Sequence, residues 1–419
     1  MGLLEYQVDP VVLSENITMR WLGTAAMLLS ILYHEAPPQG SAPTFGDDLA
    51  FLRKHVEVVV LSDETGAAQV AVVPAYQCRV MTSTADGAGG MSYGWVNREL
   101  IASGRKQPHI NVYGGEDRFW IGPEGGQFSV FFRKGDPFDL DHWFTPAAID
   151  TEPFELVASS AQAAVCRRVV ELTNYSGTKF HLEVNREVRL LTPQEAQRHL
   201  GVTPMESVRL VAYESVNSVR NVGKAAWEKE GGLLSIWILG MFNASPETTV
   251  VIPFRKGPES ELGPVVNDAY FGKVPPERLT IGDGVMNFAA DAMYRSKIGV
   301  SPLRSKPVLG SYDAMNRALT IVQFTLPDGA RDYVNSMWEI QDDPYGGDAV
   351  NSYNDGPPKP GAPQLGKFYE LETSSPALAL QPGQTGTHIH RTVHLQGPAP
   401  ALDAIARTTL GEAVTRIPN

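Results

Sequence analysis

Two short runs near the C-terminal end carry side chains that could move protons. In the run FYELETSS, Glu370 and Glu372 alternate with other residues, and in the run THIHRTVH, His388 and His390 do the same. Alternation with a period of two is typical of β-strands, and it places each pair on one face of its strand. The segment Gln381–Gln384 contains Pro-Gly and predicts a tight turn between the two strands. We therefore expect carboxylates and imidazoles on neighbouring strands, an arrangement suited to general acid–base chemistry.

A second group of polar side chains lies in segment 111–132, which reads NVYGGEDRFWIGPEGGQFSVFF. Five charged or aromatic residues stand there among five glycines: Glu116, Asp117, Arg118, Trp120 and Glu124. A tryptophan ring beside acidic and basic groups is suited to holding a sugar ring, and glycine lets a ligand approach the backbone. The alternative is a salt-bridged bend with Trp120 in the core. Farther along, Arg295 and Lys297 share one face of a predicted strand and are candidate sugar ligands.

The segment GDAVNSYNDGP is rich in side-chain oxygens. Asn351, Asn354 and Asp355 are candidate ligands for the hydroxyl groups of a substrate. Oxygen-rich loops that contain glycine also suit Ca²⁺, for which Asp343, Asp348 and Asp355 are the candidate ligands. The spacing is not that of an EF-hand, and Asn and Asp also form turns without any ligand. We therefore expect no cofactor and no metal, with Ca²⁺ at these three aspartates as the alternative.

The composition excludes several classes of partner. The chain has 419 residues and a formal net charge of −12, which argues against binding to nucleic acids or anionic membranes because both require clustered Lys and Arg. The 39 glycines and 31 prolines suit many turns between short strands. Cys78 and Cys166 are the only cysteines, so one bridge is the most that this chain can form within itself.

The N-terminal segment, residues 1–43, has the features of an export signal. Met19 and Arg20 precede an apolar run, WLGTAAMLLSILY, which is short for a membrane span and has the length of a signal-peptide core. We expect a signal peptide at 19–36, and therefore a periplasmic or secreted protein whose mature chain is not inserted in the membrane. The alternative is a buried helix in a cytoplasmic protein.

The rest of the chain, residues 44–419, reads as many short strands. Alternating runs separated by turn residues recur throughout, and a hairpin is predicted across Asn174–Gly177. The clearest helix follows Thr192, with Glu195 at the capping-box position and Gly201 as its stop. No alternation of strands with helices is seen, so the sheets should be mainly antiparallel. We predict an all-β fold: one large antiparallel β-sandwich with a few short helices.

The C-terminal run LETSSPALALQPGQTGTHIHRTVHLQG resembles the signature of galactose mutarotases, also called aldose 1-epimerases. The chain also resembles an uncharacterised, often exported bacterial family of galactose-mutarotase-like fold. The recurring patterns of that family are GGEDRFWIGPEGGQFS, RSKIG, GDAVNSYNDGP and FYELETSSPA. The resemblance covers most of the chain after residue 44, and it implies a large mutarotase-like supersandwich that handles a carbohydrate.

The resemblance also implies roles for individual residues. In mutarotases the glutamate of the Leu-Glu-Thr strand removes the proton of the anomeric hydroxyl, and that role maps onto Glu372. The histidine that donates the second proton has no counterpart, because the matching strand, YESVNSVRNVG, offers only Asn217 and Asn221. An asparagine can bind a ring oxygen but cannot protonate it. The candidate acids are therefore Glu370, Glu116 or one of four histidines: His388, His390, His109 and His142.

Two functions follow from this sequence. The first is a carbohydrate-active enzyme in which Glu372 is the base, and Glu116, Arg118, Trp120, Arg295 and Lys297 bind the sugar. The second is a periplasmic glycan-binding protein that uses the same cleft without catalysis, and the missing histidine favours it.

Overall fold

Antiparallel strands make up most of the computed structural model, which describes residues 43–359 and 361–417. The strands in these ranges are β1 (Val59–Ser62), β2 (Gln69–Val73), β3 (Arg79–Thr84), β4 (Arg118–Gly122), β5 (Glu155–Ser159), β6 (Ala163–Thr173), β7 (Lys179–Leu190), β8 (Arg209–Asn221), β9 (Ser235–Asn243), β10 (Thr248–Pro253), β11 (Leu279–Ile281), β12 (Val285–Ala289), β13 (Ser296–Val300), β14 (Val308–Asp313), β15 (Ala318–Phe324), β16 (Val350–Asn354), β17 (Phe368–Ser374) and β18 (Thr385–Gln396).

The helices of the described residues are short. They are α1 (Phe45–Leu52), α2 (Arg98–Ser103), α3 (Ala147–Asp150), α4 (Pro193–Leu200), α5 (Glu259–Leu262) and α6 (Ala399–Leu410), with 3-10 turns at Pro74–Tyr76, Lys229–Gly231 and Val414–Arg416. None of them is long and apolar enough to cross a membrane. The predicted signal peptide at 19–36 lies outside the described residues and stays a prediction.

The strands form three sheets. A three-stranded sheet has the order β1-β2-β3, a ten-stranded sheet has the order β11-β12-β10-β14-β15-β18-β8-β7-β6-β5, and a five-stranded sheet has the order β13-β16-β17-β9-β4. Every pairing between these strands is antiparallel. The fold is therefore the all-β antiparallel sandwich with short helices that the sequence predicts.

The five-stranded sheet packs on the ten-stranded sheet through two apolar clusters. In one of them Phe119 of β4 and Ile238 of β9 meet Val184 of β7. In the other Leu371 of β17 meets Val250 of β10. Burying apolar side chains between two sheets is the main source of stability in such a sandwich, at about 25 cal/mol for each Å² removed from water. Because side chains alternate along a strand, one face of the five-stranded sheet remains for other uses.

Two helices cover the other face of the ten-stranded sheet. Leu200 of α4 and Leu402 of α6 lie in a second core with Ile321 of β15 and Leu395 of β18. The α4 helix has the predicted capping box at its first turn, since the Thr192 hydroxyl accepts a hydrogen bond from the Glu195 amide. Both helices therefore belong to the layer of the ten-stranded sheet.

The two turns predicted from the sequence are present, but only one of them joins neighbouring strands. The hairpin of β6 and β7 is confirmed, with a hydrogen bond from the Gly177 amide to the Asn174 carbonyl at its turn. The turn at Gln381–Gln384 is also present. The prediction that this turn joins neighbouring strands is wrong, because β17 belongs to the five-stranded sheet and β18 to the ten-stranded sheet. The chain crosses from one layer of the sandwich to the other between Ser374 and Thr385.

A disulfide bond joins Cys78, just before β3, to Cys166 in β6. It connects the three-stranded sheet to the edge region of the ten-stranded sheet, and both cysteines are fully buried. The single bridge that the cysteine count permits is thus formed.

Candidate functional site

The outer face of the five-stranded sheet holds the polar side chains most suited to chemistry. Antiparallel register aligns Glu372 of β17 with Asn351 of β16 on one side and with Leu239 of β9 on the other. Leu239 pairs in turn with Arg118 of β4. Paired residues in a sheet point to the same face, so four strands bring these side chains together. Residues more than 250 positions apart in the chain thereby become neighbours.

Glu372 is the buried centre of this face. Its side chain has no exposed surface, and one carboxylate oxygen, Oε2, accepts hydrogen bonds from Lys297 Nζ at 2.9 Å and from Trp237 Nε1 at 3.0 Å. The other oxygen, Oε1, has no hydrogen-bond partner among the described residues. The Lys297 ammonium group thus pairs with one oxygen of this carboxylate, and the free oxygen is the atom that could accept a proton from a ligand.

Glu370, two residues earlier on the same face, pairs with a different cation. Its Oε1 accepts a hydrogen bond from Arg118 Nη2 at 3.0 Å, and both side chains are more than 90% buried. The Arg118 guanidinium lies over the ring of Trp120 at 4.3 Å. Burial raises the pKa of Glu370 to about 8, with Arg118 acting against this rise and the Glu372 carboxylate adding to it. The two glutamates thus differ in surroundings although they share one strand.

A narrow recess opens beside Glu372. The centre of a water-sized sphere can occupy about 10 Å³ of it, within about 320 Å³ of space between atoms that includes open solvent. The recess is lined by Gly122, Ser235, Trp237, Tyr270, Lys297, Val334, Ser336, Asp348, Asn351 and Ser374. Both hydrogen-bond donors to Glu372 are in this set, so the carboxylate and the recess share a wall. An indole, a phenol ring and many hydroxyl and amide groups give a surface suited to a polyhydroxylated ligand.

One wall of the recess is a hydrogen-bonded group around Asp348. The carboxylate of Asp348 accepts from the Tyr270 hydroxyl at 2.7 Å and from Asn267 Nδ2 at 3.1 Å, and Asn351 Nδ2 donates to the Tyr270 oxygen at 3.2 Å. Burial raises the pKa of Asp348 to about 6, against the effect of these hydrogen bonds. The ammonium group of Lys297 lies 5.5 Å from the centre of the Tyr270 ring. These contacts fix the side chains that face the recess.

A third glutamate, Glu124, lies just beyond β4 and is bonded through its backbone to Ser336, a residue that lines the recess. Its amide donates to the Ser336 hydroxyl at 3.2 Å, and its carbonyl accepts from the Ser129 hydroxyl. Burial raises the pKa of Glu124 to about 7; the Lys297 ammonium opposes this rise and the Glu372 carboxylate adds to it. The carboxyl group of Glu124 therefore belongs to the same electrostatic cluster as Glu372 and Lys297.

The structure brings most of the predicted residues of this face together. Glu370, Glu372, Arg118, Lys297 and Asn351 all lie on it, with Trp120 beneath Arg118.

Two further predicted residues lie at the edge of the same face. Asp355 accepts a hydrogen bond from the Tyr353 hydroxyl at 2.7 Å, and the Arg295 guanidinium stacks over Phe271 at 4.1 Å. These two residues flank the recess rather than line it.

His388 and the asparagines of β8 lie elsewhere. His388 faces the inside of the sandwich, where its Nε2 is 2.8 Å from the hydroxyl of Thr373, a residue on the inner face of β17. Asn217 Nδ2 bonds to the Ser215 hydroxyl at 2.8 Å, and Asn221 Nδ2 bonds to backbone carbonyls. Buried polar contacts join the two layers here. His388 therefore does not share a face with Glu372, although the predicted pairing of their strands required this.

Glu116 and Asn354 are also buried inside the sandwich. The carboxylate of Glu116 accepts from the Tyr213 hydroxyl and contacts His394 Nε2, each at 2.9 Å, and it accepts from Ser83 as well. Asn354 holds the loop before β13 by bonding to the Ala292 amide and the Tyr294 carbonyl. Their contacts are those of residues that join elements of the fold.

The aspartates proposed for Ca²⁺ are spread out. Asp348 is in the wall of the recess, Asp355 pairs with Tyr353, and Asp343 caps its own turn through the Tyr345 amide. Within the described ranges no three His, Cys, Asp or Glu side chains come together as a metal site. The calcium alternative stays a prediction.

Two residues of the site were absent from the sequence-based set: Trp237 and Tyr270. Trp237 stands in a continuous apolar run, LLSIWILG, that gives no indication of an outward face. Tyr270 lies in an irregular segment without periodicity.

Sequence comparison gives the chain a family. The profile of a family of unknown function, DUF6786, matches residues 43–419. The chain belongs to DUF6786. Among curated proteins, none matches this DUF6786 chain.

Several solved structures are similar to this DUF6786 chain. A putative aldose 1-epimerase from Escherichia coli K12 is 13% identical, with 82% of this chain and 99% of that chain covered and a TM-score of 0.49. A putative mutarotase from Salmonella typhimurium is 10% identical, with 82% and 92% covered and a TM-score of 0.46. A galactose mutarotase-like protein from Lactobacillus casei ATCC 334 is 10% identical, with 81% and 100% covered and a TM-score of 0.45. Mutarotase-like proteins, which the C-terminal motif resembles, are thus among the similar structures.

Proposed function

We propose that this protein binds a sugar in the recess of the five-stranded sheet and that Glu372 is a general base toward the anomeric hydroxyl. The observation that carries the proposal is the free Oε1 of Glu372, a buried carboxylate oxygen without a hydrogen-bond partner among the described residues. A buried polar atom without a partner costs about 1–3 kcal/mol or more, and a hydroxyl group of a bound ligand would remove that cost. The Leu-Glu-Thr motif that resembles mutarotases places the base at the same residue.

The proposed reaction is ring opening of a cyclic aldose. Glu372 takes the proton of the hydroxyl on the anomeric carbon, and the bond between that carbon and the ring oxygen breaks. The electron pair of this bond goes to the ring oxygen, which takes a proton from an acid. Rotation in the open aldehyde and closure by the reverse steps give the other anomer. Lys297 and Trp237 hold Glu372 in place and keep it ionised before the proton is transferred.

The test is the exchange of anomeric protons in glucose, galactose and other free sugars, measured by NMR with and without the protein. We expect acceleration by the wild type and its loss in Glu372→Gln, since an amide cannot accept the proton. Glu57→Gln, which changes an exposed glutamate, is the matched control and should keep the wild-type rate. Equal rates in Glu372→Gln and the wild type would contradict the role of Glu372.

A second candidate is a glycan-binding protein without catalysis. It is favoured by the lining of the recess, to which no histidine of the described ranges contributes. The same NMR samples separate the two candidates: broadened sugar lines without faster exchange would support binding alone. Sharp lines and no acceleration with every sugar would contradict both.

A further inference from the structure

We propose that the ammonium group of Lys297 is the proton donor that works beside Glu372 in ring opening. The inference rests on the proposed function, because it supplies the acid that this reaction requires. Lys297 lines the recess, and its Nζ is 2.9 Å from Glu372 Oε2. The proposed donor and the proposed base are thus in direct contact.

The chemistry of the anomeric carbon requires an acid and a base that are close together. This carbon bears a hydroxyl group, which loses a proton, and the ring oxygen, which gains one. Each oxygen must lie about 2.6–3.2 Å from the group that exchanges a proton with it. Because both oxygens are bonded to one carbon, the acid and the base can be no more than about 9 Å apart. The pair of Lys297 and Glu372 meets this requirement.

The free bonding positions of the two side chains match those of a cyclic sugar. Oε1 of Glu372 has no partner among the described residues, so it can accept a hydrogen bond from the anomeric hydroxyl. An ammonium group has three N–H donors, and within the described ranges Lys297 uses one of them, toward Glu372 Oε2. The ring oxygen carries no hydrogen and can only accept. A free acceptor and free donors side by side therefore fit the hydroxyl and the ring oxygen of one anomeric carbon.

The sheet explains how Lys297 reaches Glu372. Strands β13 and β17 are the two neighbours of β16, so their backbones are about 10 Å apart. The long side chain of lysine spans this distance across β16. The ring centres of Trp237 and Tyr270 lie 4.9 Å and 5.5 Å from its Nζ. Such cation–π contacts hold the ammonium group at the wall of the recess and leave its N–H groups free for an oxygen acceptor.

Lys297 carries a proton at neutral pH. Burial alone lowers its pKa, but the carboxylates of Glu372, Glu124 and Glu370 together raise the pKa above the ordinary value of a lysine. A high proton affinity makes an isolated ammonium group a weak acid. In this recess, however, the two proton transfers turn a buried ion pair into two neutral groups, and burial favours neutral groups. The loss of both charges in one step offsets the high proton affinity of the amine.

Other acidic groups near the recess are less suited. Glu370 is not among the residues that line it, and its Oε1 accepts a hydrogen bond from Arg118. Tyr270 lines the recess, but its hydroxyl donates to Asp348. Burial raises the pKa of Asp348 to about 6, so this residue is mostly ionised at pH 7. Of these groups, Lys297 is the one that both lines the recess and has hydrogens free to give.

In the proposed step, Lys297 gives a proton to the ring oxygen as the bond between that oxygen and the anomeric carbon breaks. The electron pair of this bond goes to the ring oxygen. Glu372 takes the proton of the anomeric hydroxyl, and the electron pair of that O–H bond forms the carbonyl group of the open aldehyde. The sugar gains one proton and loses one, and the site holds an amine and a carboxylic acid. Ring closure on either face of the carbonyl reverses both transfers and restores the ion pair.

Two variants of Lys297 test the donor role by anomeric exchange. We expect Lys297→Ala to be slower than the wild type by roughly 100-fold or more. Lys297→Arg keeps a positive charge beside Glu372, but a guanidinium group does not release its proton. This variant should therefore also be slow, although it still broadens the sugar lines. Lys256→Ala, which changes an exposed lysine paired with Asp283, is the control and should keep the wild-type rate.

Small cations separate a proton donor from a positive charge alone. Ammonium and potassium ions are similar in size and equal in charge, but only ammonium can donate a proton. Ammonium chloride should therefore restore activity to Lys297→Ala, and potassium chloride at the same concentration should not. Equal recovery with both salts, or recovery with neither in a variant that stays folded and binds sugar, would overturn the donor role. A wild-type rate in Lys297→Arg would overturn it too.

The wild type gives a test that holds even if the variants do not fold. The ionisable groups that face Lys297 include Glu124, Glu370, Glu372, Asp348 and Tyr270. Burial raises the pKa of Glu124 to about 7 and that of Glu370 to about 8, so a rate that depended on either as the acid would fall between about pH 7 and 9. With Lys297 as donor, the rate above the uncatalysed background should stay level over this range.

The outcomes separate this inference from the proposed function. A fall in the wild-type rate between about pH 7 and 9 overturns the role of Lys297 and leaves that of Glu372 in place. No acceleration by the wild type at any pH overturns both.

Discussion

Glu372 and His388 are both fully buried, but the groups around them differ. Glu372 contacts the ammonium group of Lys297 at 2.9 Å. His388 and His390 bond to the hydroxyl of Thr373, and neither contacts an acidic group through a hydrogen bond. Burial lowers the pKa of His388 to about 3 and that of His390 to about 4. His388 and His390 are therefore neutral at pH 7.

This difference predicts the acid sensitivity of the fold. The pKa of each histidine is near 6.5 in the unfolded chain and lower in the folded one, so the unfolded chain binds more protons below about pH 6.5. The stability that the neutral histidines contribute is complete above that pH. It is lost as the pH falls toward 3 or 4, at up to about 1.4 kcal/mol per histidine and pH unit. Urea unfolding at pH 7, 6, 5 and 4 should show this decline.

The double variant His388→Gln, His390→Gln tests the assignment. Glutamine can bond to Thr373 but does not titrate, so the decline between pH 6.5 and 4 should be shallower than in the wild type. His181→Gln, which changes an exposed histidine, should keep the wild-type slope. Equal slopes in the double variant and the wild type would show that other groups cause the acid sensitivity.

At the scale of elements, the edge strand β13 shapes the recess because it has a glycine beside Asp348. Gly299 is opposite Asn351 in the register, and a Cβ added there would lie 1.9 Å from Asp348 Oδ2 and 2.7 Å from Asn351 Nδ2. Glycine at this position lets Asp348 approach the strand and bond to Tyr270. The wall of the recess thus depends on the absence of one methyl group.

We expect Gly299→Ala to displace Asp348 and to weaken sugar binding by roughly 10- to 100-fold, because small displacements of positioning groups have effects of this size. Overpacking should also cost about 1–3 kcal/mol of stability. NMR titration with the sugar that broadens most, together with urea unfolding, measures both. Gly89→Ala is the control, since a Cβ there meets no atom within 4 Å. Unchanged affinity in Gly299→Ala would place the sugar away from Asp348.

The sequence predicts elements better than it predicts their partners. The α4 helix and the β6–β7 hairpin follow from capping and turn residues a few positions apart, and both are present. The change of layer between β17 and β18 depends on which distant strands each of them pairs with. A local sequence pattern does not identify those partners. Helix α6 was not predicted although Pro398 precedes it and Gly411 ends it, which are ordinary start and stop signals.

The candidate site shows the same limit. Glu372, Arg118 and Lys297 could be chosen by residue type, and the sheet does bring them to one face. Trp237 and Tyr270 could not, because a buried apolar strand and an irregular segment do not indicate which side chains meet a recess. His388 was selected because it alternates with other residues along its strand. Alternation divides the side chains between two faces of a sheet, but it does not show which face points into the sandwich.

At the scale of the whole molecule, the Cys78–Cys166 bond links regions 88 residues apart. A crosslink over a loop of this length restricts the unfolded chain and is expected to add about 4 kcal/mol of stability. We predict that the double variant Cys78→Ala, Cys166→Ala unfolds at a lower urea concentration than the oxidised wild type. Adding dithiothreitol should lower the wild-type midpoint toward that of the variant and leave the variant unchanged. A midpoint of the variant equal to that of the oxidised wild type would contradict the prediction.

The order of strands in the five-stranded sheet has a consequence for synthesis on the ribosome. Its strands lie at Arg118–Gly122, Ser235–Asn243, Ser296–Val300, Val350–Asn354 and Phe368–Ser374, and the last of them stands in the middle of the sheet. The nascent chain therefore carries β4 and β9 on one side and β13 and β16 on the other before the strand that joins them exists. Contacts of such high sequence separation form slowly, and unpaired strand edges invite aggregation meanwhile. A chain that stops before Phe368 would have two half-sheets and no recess.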